Sequence, residues 1–239
     1  MTEDQSFSKE DIYENIKRTL CKSIGIRPSS VWDSSSIHEH LKKNIKYCEL
    51  TSFTRSQYVK KGGEGVVFFG EWDFSPVAIK QIKDAALTTD LLEQLNILMG
   101  ISNNNCVNHY GFSIDTDQNV LYIIMERMQI NLFDYIIQNP TLSLGTKLEI
   151  FMYIAIGMNH LHSMNPPILH LDLKMENVLL NLDHNKIQAV KICDFGLSKF
   201  KTEEMVLEAP IGTLRAISPE ILTSHSCSTK SDVYSFGKF

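Results

Sequence analysis

The sequence predicts an α+β fold of two lobes, strand-rich in its first part and helix-rich in its second, with a cleft between them. Three observations predict it. Between Tyr58 and Lys80, Val66-Val67-Phe68-Phe69 follows glycines and Val77-Ala78-Ile79 forms a short apolar run, a strand-like pattern. Leu121-Tyr122-Ile123-Ile124-Met125 reads as a buried strand. From Leu148 to His162, apolar residues at Ile150, Phe151, Ile154, Met158 and Leu161 recur on one helical face, so a core helix is expected there.

The remaining elements follow in order. Ser8 ahead of Glu10 and Asp11 is a helix start, and Ile12, Ile16 and Leu20 repeat at helical spacing. Pro28-Ser29-Ser30 and Ser34-Ser35-Ser36 then break the pattern. Residues 1–44 are therefore expected to be an N-terminal extension, a helix plus a linker; a solvated tail is the alternative. Leu87–Met99 has helical spacing, and short strands are expected around the polar motifs after His162. The sequence shows no internal repeat and no low-complexity tract.

Composition narrows the function classes. A chain of 239 residues can build one large domain or two lobes with a sizeable core. With 43% hydrophobic and 21% charged residues it has the make-up of a soluble globular protein. A formal charge of −5 gives no footing for nucleic acid as a partner, although local charge still permits an anionic nucleotide. The five cysteines, Cys21, Cys48, Cys106, Cys193 and Cys227, are scattered and form no C-x-x-C pair. That argues against a disulfide framework and structural zinc, and suits the reducing cytoplasm, the expected location. Met1-Thr2-Glu3-Asp4-Gln5 is too acidic for a secretory signal. The longest apolar run, Ile150 to Met158, falls short of the roughly 20 residues a bilayer span needs, so no membrane insertion is expected.

The chemistry sits in two short stretches. His170-Leu171-Asp172-Leu173-Lys174-Met175-Glu176-Asn177 reads H-x-D-x-x-x-x-N, and Asp194-Phe195-Gly196 reads D-F-G. They supply a carboxylate, a lysine, an amide and a second carboxylate. Such groups can take a proton from a hydroxyl, balance phosphate charge and hold a divalent metal. Upstream, Lys60-Lys61-Gly62-Gly63-Glu64-Gly65-Val66-Val67 is glycine-rich, which lets backbone amides approach phosphate oxygens. Alone, the same pattern is a plain hairpin turn; here Val77-Ala78-Ile79-Lys80 follows it. Met125-Glu126-Arg127-Met128 comes after the buried strand. Gly212-Thr213-Leu214-Arg215-Ala216-Ile217-Ser218-Pro219-Glu220 and Ser231-Asp232-Val233-Tyr234-Ser235-Phe236-Gly237 follow the D-F-G stretch.

With these motifs in this order, residues 45–239 resemble a eukaryotic protein kinase domain. The resemblance implies a protein-kinase-like two-lobed fold with a β-rich N-lobe and an α-helical C-lobe. A complete domain of the family continues for several helices beyond the position of Phe239. The expectation is therefore an incomplete C-lobe, cut short at the start of its central helix, with helix Leu148–His162 losing part of its cover and Glu220 its basic partner. Gly70-Glu71-Trp72 together with the Ser-Asp-Val-Tyr-Ser-Phe-Gly stretch is most similar to the tyrosine-kinase-like group.

The resemblance also implies roles. The cofactors are ATP and magnesium, and the partners are protein substrates; oligomeric state stays open. Gly62, Gly65 and Val67 would cover the nucleotide, Ala78 and Leu179 would line its site, and Glu126 and Met128 would meet the adenine edge through backbone groups. Lys80 would pair with the α- and β-phosphates and with a glutamate of the next helix. Glu93 is the natural candidate for that glutamate, whereas an ungapped alignment from Tyr110-Gly111 puts Gln94 there. Asp172 would accept the substrate proton, Lys174 would neutralise charge on the moving phosphoryl group, and Asn177 and Asp194 would hold magnesium. His170 would be structural. Thr213, with Asp172-Leu173-Lys174, favours serine and threonine substrates.

Departures from the family pattern are Lys60 for the first glycine, Leu171 for an arginine, Ser218 for an alanine and Ala216 for an aromatic. The family's arginine pairs with a phosphorylated loop, so Leu171 implies activity that needs no such phosphate. The departures also keep a second reading open: an ATP-binding pseudokinase or truncated regulatory protein acting through contacts. A fragment that does not fold alone is the third.

Overall fold

The computed structural model describes residues 53–239 except 63, 64, 73, 84–88, 116, 117, 119, 203 and 204. The extension expected over residues 1–44 lies outside the described residues. The chain divides into two compact units, residues 1–93 with 110–124 and residues 94–109 with 125–239.

The first unit is built on an antiparallel meander. Strands β1 (Phe53–Gly62), β2 (Gly65–Trp72) and β3 (Ser75–Lys83) pair in sequence, and β5 (Val120–Glu126) and β4 (His109–Asp115) complete a five-stranded sheet in the order β1-β2-β3-β5-β4. The single strand-like region read over Tyr58–Lys80 is thus three strands. Alternation on β3 and β5 sends Val77, Ile79, Val120, Tyr122 and Ile124 into one apolar cluster, flanked by Trp72 and Tyr110. Each such side chain, fully buried, contributes about 1.5–3 kcal/mol. Arg55 lies over the rings of Phe68 and Tyr122, 5.5 and 5.2 Å from their centroids, and donates to the Gln81 amide oxygen.

Helix α1 (Thr89–Gly100) agrees with the periodicity over Leu87–Met99 to within two residues. Helix α2 (Leu132–Gln138) was not legible as an element: it has seven residues and is started by an Asn131 side chain accepting from the Asp134 amide at 2.8 Å. Strand β4 was also not read: it is as long as β5, but its apolar residues Tyr110, Phe112 and Ile114 alternate with Gly111 and Ser113 instead of forming an unbroken run.

The second unit is organised around helix α3 (Leu144–His162). It begins four residues before the expected Leu148, because the Ser143 hydroxyl accepts from the Thr146 amide and caps it. Ile150, Ile154, Met158 and Leu161 are buried, as the spacing predicts. Gly157 lets the helix press against its neighbours: a Cβ there would lie 2.8 Å from the Asn105 carbonyl oxygen and 2.9 Å from Ile192. Leu144, Leu148, Met152 and Ile156 form a second stripe that is exposed.

Strands β6 (Ile130–Asn131), β8 (Val178–Asp183) and β9 (Lys186–Ile192) form a small sheet in the order β6-β8-β9. Strand β7 (Ile168–Leu169) pairs with β10 (Lys199–Phe200). Two short helices, α4 (Pro219–Ser224) and α5 (Thr229–Phe236), close the described chain. A capping box between Ser228 and Ser231 starts α5. No helix among the described residues is long and apolar enough to cross a membrane.

Candidate functional site

The candidate site of the second unit hangs on one buried carboxylate. Asp232, in the first turn of α5, is 1% exposed. Its Oδ2 accepts from the His170 amide at 2.9 Å and faces His162 Nε2 at 2.8 Å. Its Oδ1 accepts from the Leu171 amide at 2.9 Å. An aspartate is almost never fully buried unless paired, and here three groups of the loop and helix α3 pair it. The bonds hold Leu171 at φ 64°, a left-handed conformation that costs a non-glycine residue about 1–3 kcal/mol.

The loop after that turn presents Asp172. Its carboxylate accepts four hydrogen bonds. Oδ1 takes the Thr213 amide at 2.9 Å and the Thr213 hydroxyl at 2.7 Å. Oδ2 takes Lys174 Nζ at 2.6 Å and Asn177 Nδ2 at 2.9 Å. Lys174 also donates to the Thr213 hydroxyl at 2.7 Å. Thr213 thus relays between the lysine and the carboxylate. Its hydroxyl shows that an aliphatic alcohol can come within hydrogen-bond distance of Asp172 Oδ1. Gly212 places it there: at φ 102° it packs so closely that a Cβ would run into the Leu171 carbonyl oxygen.

Asn177 shows its oxygen by exclusion. Its Nδ2 is spent on the Asp172 carbonyl and carboxylate oxygens, at 2.9 Å each, which fixes the amide orientation and leaves Oδ1 as the donor atom for a cation. The Asn177 carbonyl accepts from the Cys193 amide at 2.9 Å, so Asp194 follows immediately beside it. Asp194 is itself left-handed, at φ 63°. An amide oxygen and a carboxylate are hard ligands that suit magnesium, which takes one or two protein oxygens and fills the rest with phosphate and water. Among the described residues no group of three or more His, Cys, Asp and Glu could cage a metal by protein ligands alone.

His170 is structural, as expected. Its Nε2 faces the Cys193 carbonyl at 3.0 Å and its Nδ1 accepts from the Asp172 amide at 3.3 Å. Those partners fix the Nε2–H tautomer and occupy both ring nitrogens. The ring lies 5.2 Å from Phe195, which is 1% exposed and also meets His109 edge-on at 5.8 Å.

Gln94, on α1, donates from Nε2 to the Gly196 carbonyl at 2.6 Å. Of the two residues considered as the partner of Lys80, this one is directed at the D-F-G turn. The side chain of Glu93 lies outside the described residues.

The other predicted positions fall as follows. In the first unit, Val67 and Lys80 face each other across β2 and β3, and Ala78 shares their face of the sheet. Gly62 pairs with Gly65 at the ends of β1 and β2. Gly65 leaves no room for a side chain, because a Cβ would strike the Gln81 carbonyl oxygen. In the second unit, Met128 is buried and Leu179 half-buried on β8, paired with Asn131 and Lys191. Glu126 donates its amide to the Asn108 carbonyl at 2.9 Å, and its carboxylate accepts from Lys191 Nζ at 2.8 Å and Asn108 Nδ2 at 3.0 Å.

Leu171 joins an apolar cluster with Leu169, Leu207, Ile217, Ile221 and Cys227. Leu207 donates its amide to the His225 carbonyl and Cys227 to that of Met205. The segment after D-F-G is therefore tied down by packing and backbone bonds. Glu220 accepts from the Ser231 hydroxyl at 2.9 Å. Burial pushes its carboxyl up, but the hydrogen bonds it accepts, that from the Ser231 hydroxyl among them, win and set it below the usual range. Burial pushes the Cys106 thiol up to about 12 against the pull of Lys191, and raises Cys227 also. Neither is an activated nucleophile.

Sequence reasoning missed Asp232 as a working residue, and weighed Gln94 only as a partner of Lys80, not of Gly196. Asp232 stands in a polar helix start, Ser228-Thr229-Lys230-Ser231, where an acid draws no notice, so the local sequence carried no signal for it. His162 gave none, since its partner lies far along the chain.

The sequence profile described as protein kinase domain matches residues 53–239. A probable serine/threonine-protein kinase of Dictyostelium discoideum is 34% identical over 212 residues, which cover 84% of this chain and 20% of that protein. Two probable serine/threonine-protein kinases of Arabidopsis thaliana, SIS8 and PBL24, are 32% and 29% identical. SIS8 aligns over 81% of this chain and 19% of its own length, PBL24 over 88% and 58%. The chain thus spans from about a fifth to somewhat over half the length of these relatives.

Proposed function

We propose, from the premise that this chain belongs to the protein kinase domain family, that it transfers the γ-phosphoryl group of ATP to serine and threonine hydroxyls of protein substrates. The domain implies ATP and a divalent metal in general. The single observation that carries the reading is the Asp172 carboxylate, which accepts a hydrogen bond from the Thr213 hydroxyl at 2.7 Å on one oxygen and from the Asn177 side-chain amide at 2.9 Å on the other.

In this reading the substrate hydroxyl takes the position of the Thr213 hydroxyl on Asp172 Oδ1. Its proton passes to Asp172 as its oxygen bonds to the γ-phosphorus, and the bond from that phosphorus to the β–γ bridging oxygen breaks, releasing ADP. Lys174, already 2.6 Å from Asp172, lies where it would balance charge on the moving phosphoryl group. Asn177 Oδ1 and Asp194 would hold magnesium, which supplies charge neutralisation on the phosphate oxygens. Lys80 would meet the α- and β-phosphates, with Gly62, Gly65, Val67, Ala78 and Leu179 around the nucleotide and backbone groups of Glu126 and Met128 on the adenine edge. The motifs Gly70-Glu71-Trp72 and Ser231–Gly237 favour the tyrosine-kinase-like group. We place the domain at residues 45–239 with an extension before it, acting in cytoplasmic signalling.

A thermal melt with and without Mg-ATP tests the nucleotide site. ATP at 100 times its dissociation constant is expected to stabilise the chain by about 2.7 kcal/mol, and magnesium omission is expected to remove most of that. No shift at millimolar Mg-ATP would contradict the assignment. A shift without any transfer would move the function to a regulatory one.

The apolar setting of Leu171 gives a further expectation. Contacts to Leu207 and Ile217 hold the segment without a phosphate. Phosphatase treatment is therefore expected to change transfer by less than about threefold, the equivalent of under 1 kcal/mol. A tenfold fall would show that a phosphorylated residue, Ser198 or Thr202 included, organises the segment.

A further inference from the structure

The D-F-G turn is held at several points, and they come from different parts of the second unit. At Cys193, the amide donates to the Asn177 carbonyl at 2.9 Å and the carbonyl faces His170 Nε2 at 3.0 Å. At Phe195, the ring is enclosed by His109 and His170. At Ser198, the hydroxyl donates to the His170 carbonyl at 3.2 Å and the amide to the Phe195 carbonyl at 3.0 Å. Asp194 sits among these in a left-handed backbone conformation at φ 63°. Such a conformation persists at a non-glycine residue only where the surroundings over-determine it. On the side of Gly196 the constraint comes from helix α1, as the bond from Gln94 Nε2 to the Gly196 carbonyl at 2.6 Å.

We propose that Gln94 is a positioning residue for metal binding: its side-chain amide holds the Gly196 carbonyl, and through it keeps Asp194 in the conformation that presents its carboxylate beside Asn177. This rests on the phosphoryl-transfer reading above. The chemistry requires a donor. A backbone carbonyl only accepts, so the amide NH₂ is the atom that faces it, and the side chain must be neutral or cationic. A glutamate at this position would set a carboxylate against that carbonyl and repel it. The alignment that puts Gln94 at the family's glutamate position therefore describes a change of task. The residue serves the D-F-G backbone by donation.

The consequences are specific. Gln94→Met keeps length and helix propensity but removes the donor. Gln94→Lys keeps an N–H donor of similar reach. Losing one such hydrogen bond corresponds to about three- to tenfold in a local equilibrium. In the metal-free, nucleotide-free chain, hydrogen exchange at the amides of Phe195–Ser198 is expected to be about fivefold faster in Gln94→Met than in wild type, and close to wild type in Gln94→Lys. Exchange in α3 and in β8–β9 is expected to stay unchanged. In the loaded protein, Gln94→Met is expected to raise the magnesium concentration for half-maximal ATP binding by a similar factor, with little change in nucleotide affinity at saturating magnesium.

Exchange at Phe195–Ser198 that is the same in all three proteins would overturn the proposal. So would faster exchange spread evenly over the second unit, since that is the signature of a packing role, and so would failure of Gln94→Lys to restore protection. The exchange measurement needs neither metal nor nucleotide. If wild type binds no Mg-ATP, the phosphoryl-transfer reading fails by itself, and the exchange result still decides whether Gln94 holds the turn.

Discussion

Asp172→Asn is expected to lower phosphoryl transfer by about 10²–10⁴-fold, the usual contribution of a placed general base, while ATP affinity stays within a few-fold. The geometry says why both halves hold. The carboxylate accepts from Thr213 on one oxygen and from Lys174 and Asn177 on the other. An asparagine keeps one acceptor oxygen but turns an NH₂ group toward donors that have nothing to receive it. It also loses the basicity that takes the alcohol proton. The nucleotide positions assigned to Val67, Ala78 and Lys80 share the β2–β3 face of the first unit and are untouched by the substitution. The stranded donors are expected to cost about 1–3 kcal/mol of stability, so a melt of the variant must accompany the rate. Equal phosphate incorporation by wild type and variant would remove Asp172 from the mechanism.

The second large effect is on stability. Asp232→Ala leaves the His170 and Leu171 amides and the His162 ring without their acceptor. Removing one partner of a buried charged network costs about 3–5 kcal/mol, against a typical total of roughly 5–15 kcal/mol. The urea midpoint is expected to fall by a large fraction of its value. Asp232→Asn, which keeps one oxygen, is expected to fall between. Activity of the Asn variant should drop more than its folded fraction does, because the left-handed turn at Leu171 that aims Asp172 depends on the same two amide bonds. A wild-type midpoint for Asp232→Ala would show that the carboxylate carries no structural weight.

The elements most legible in the sequence were those with length and period. Helix α3 was readable from Ile150, Ile154, Met158 and Leu161, and β5 from its unbroken apolar run. The start of α3 was read four residues late, because the period was counted from Leu148 and the capping Ser143 was not used. What stayed hidden was contact between residues far apart in the chain. The acceptor role of Asp232 depends on loop amides about 60 positions earlier, and the bond from Gln94 to Gly196 spans 102 positions. No local pattern encodes either. Short elements such as α2 and α4 carry too few residues for a period to show. The chemistry of the catalytic loop was readable because Asp172, Lys174 and Asn177 lie close enough in sequence for one loop to bring them together. Leu171 shows the limit: its departure from the family pattern was visible, but the apolar cluster that receives it, with Leu207 and Ile217, was not.

The most direct measurement of the central claim is transfer of the γ-phosphoryl group from ATP to a serine- and threonine-containing peptide library, followed against magnesium concentration for wild type and Asp194→Asn. The account predicts phosphoserine and phosphothreonine formed by wild type, dependent on magnesium, and reduced at least about 10²-fold by the substitution, since metal stabilisation of phosphate charge is worth several kcal/mol. Magnesium-dependent transfer that is equal in the two proteins, or no transfer by a wild-type chain that melts cooperatively and binds Mg-ATP, would contradict it.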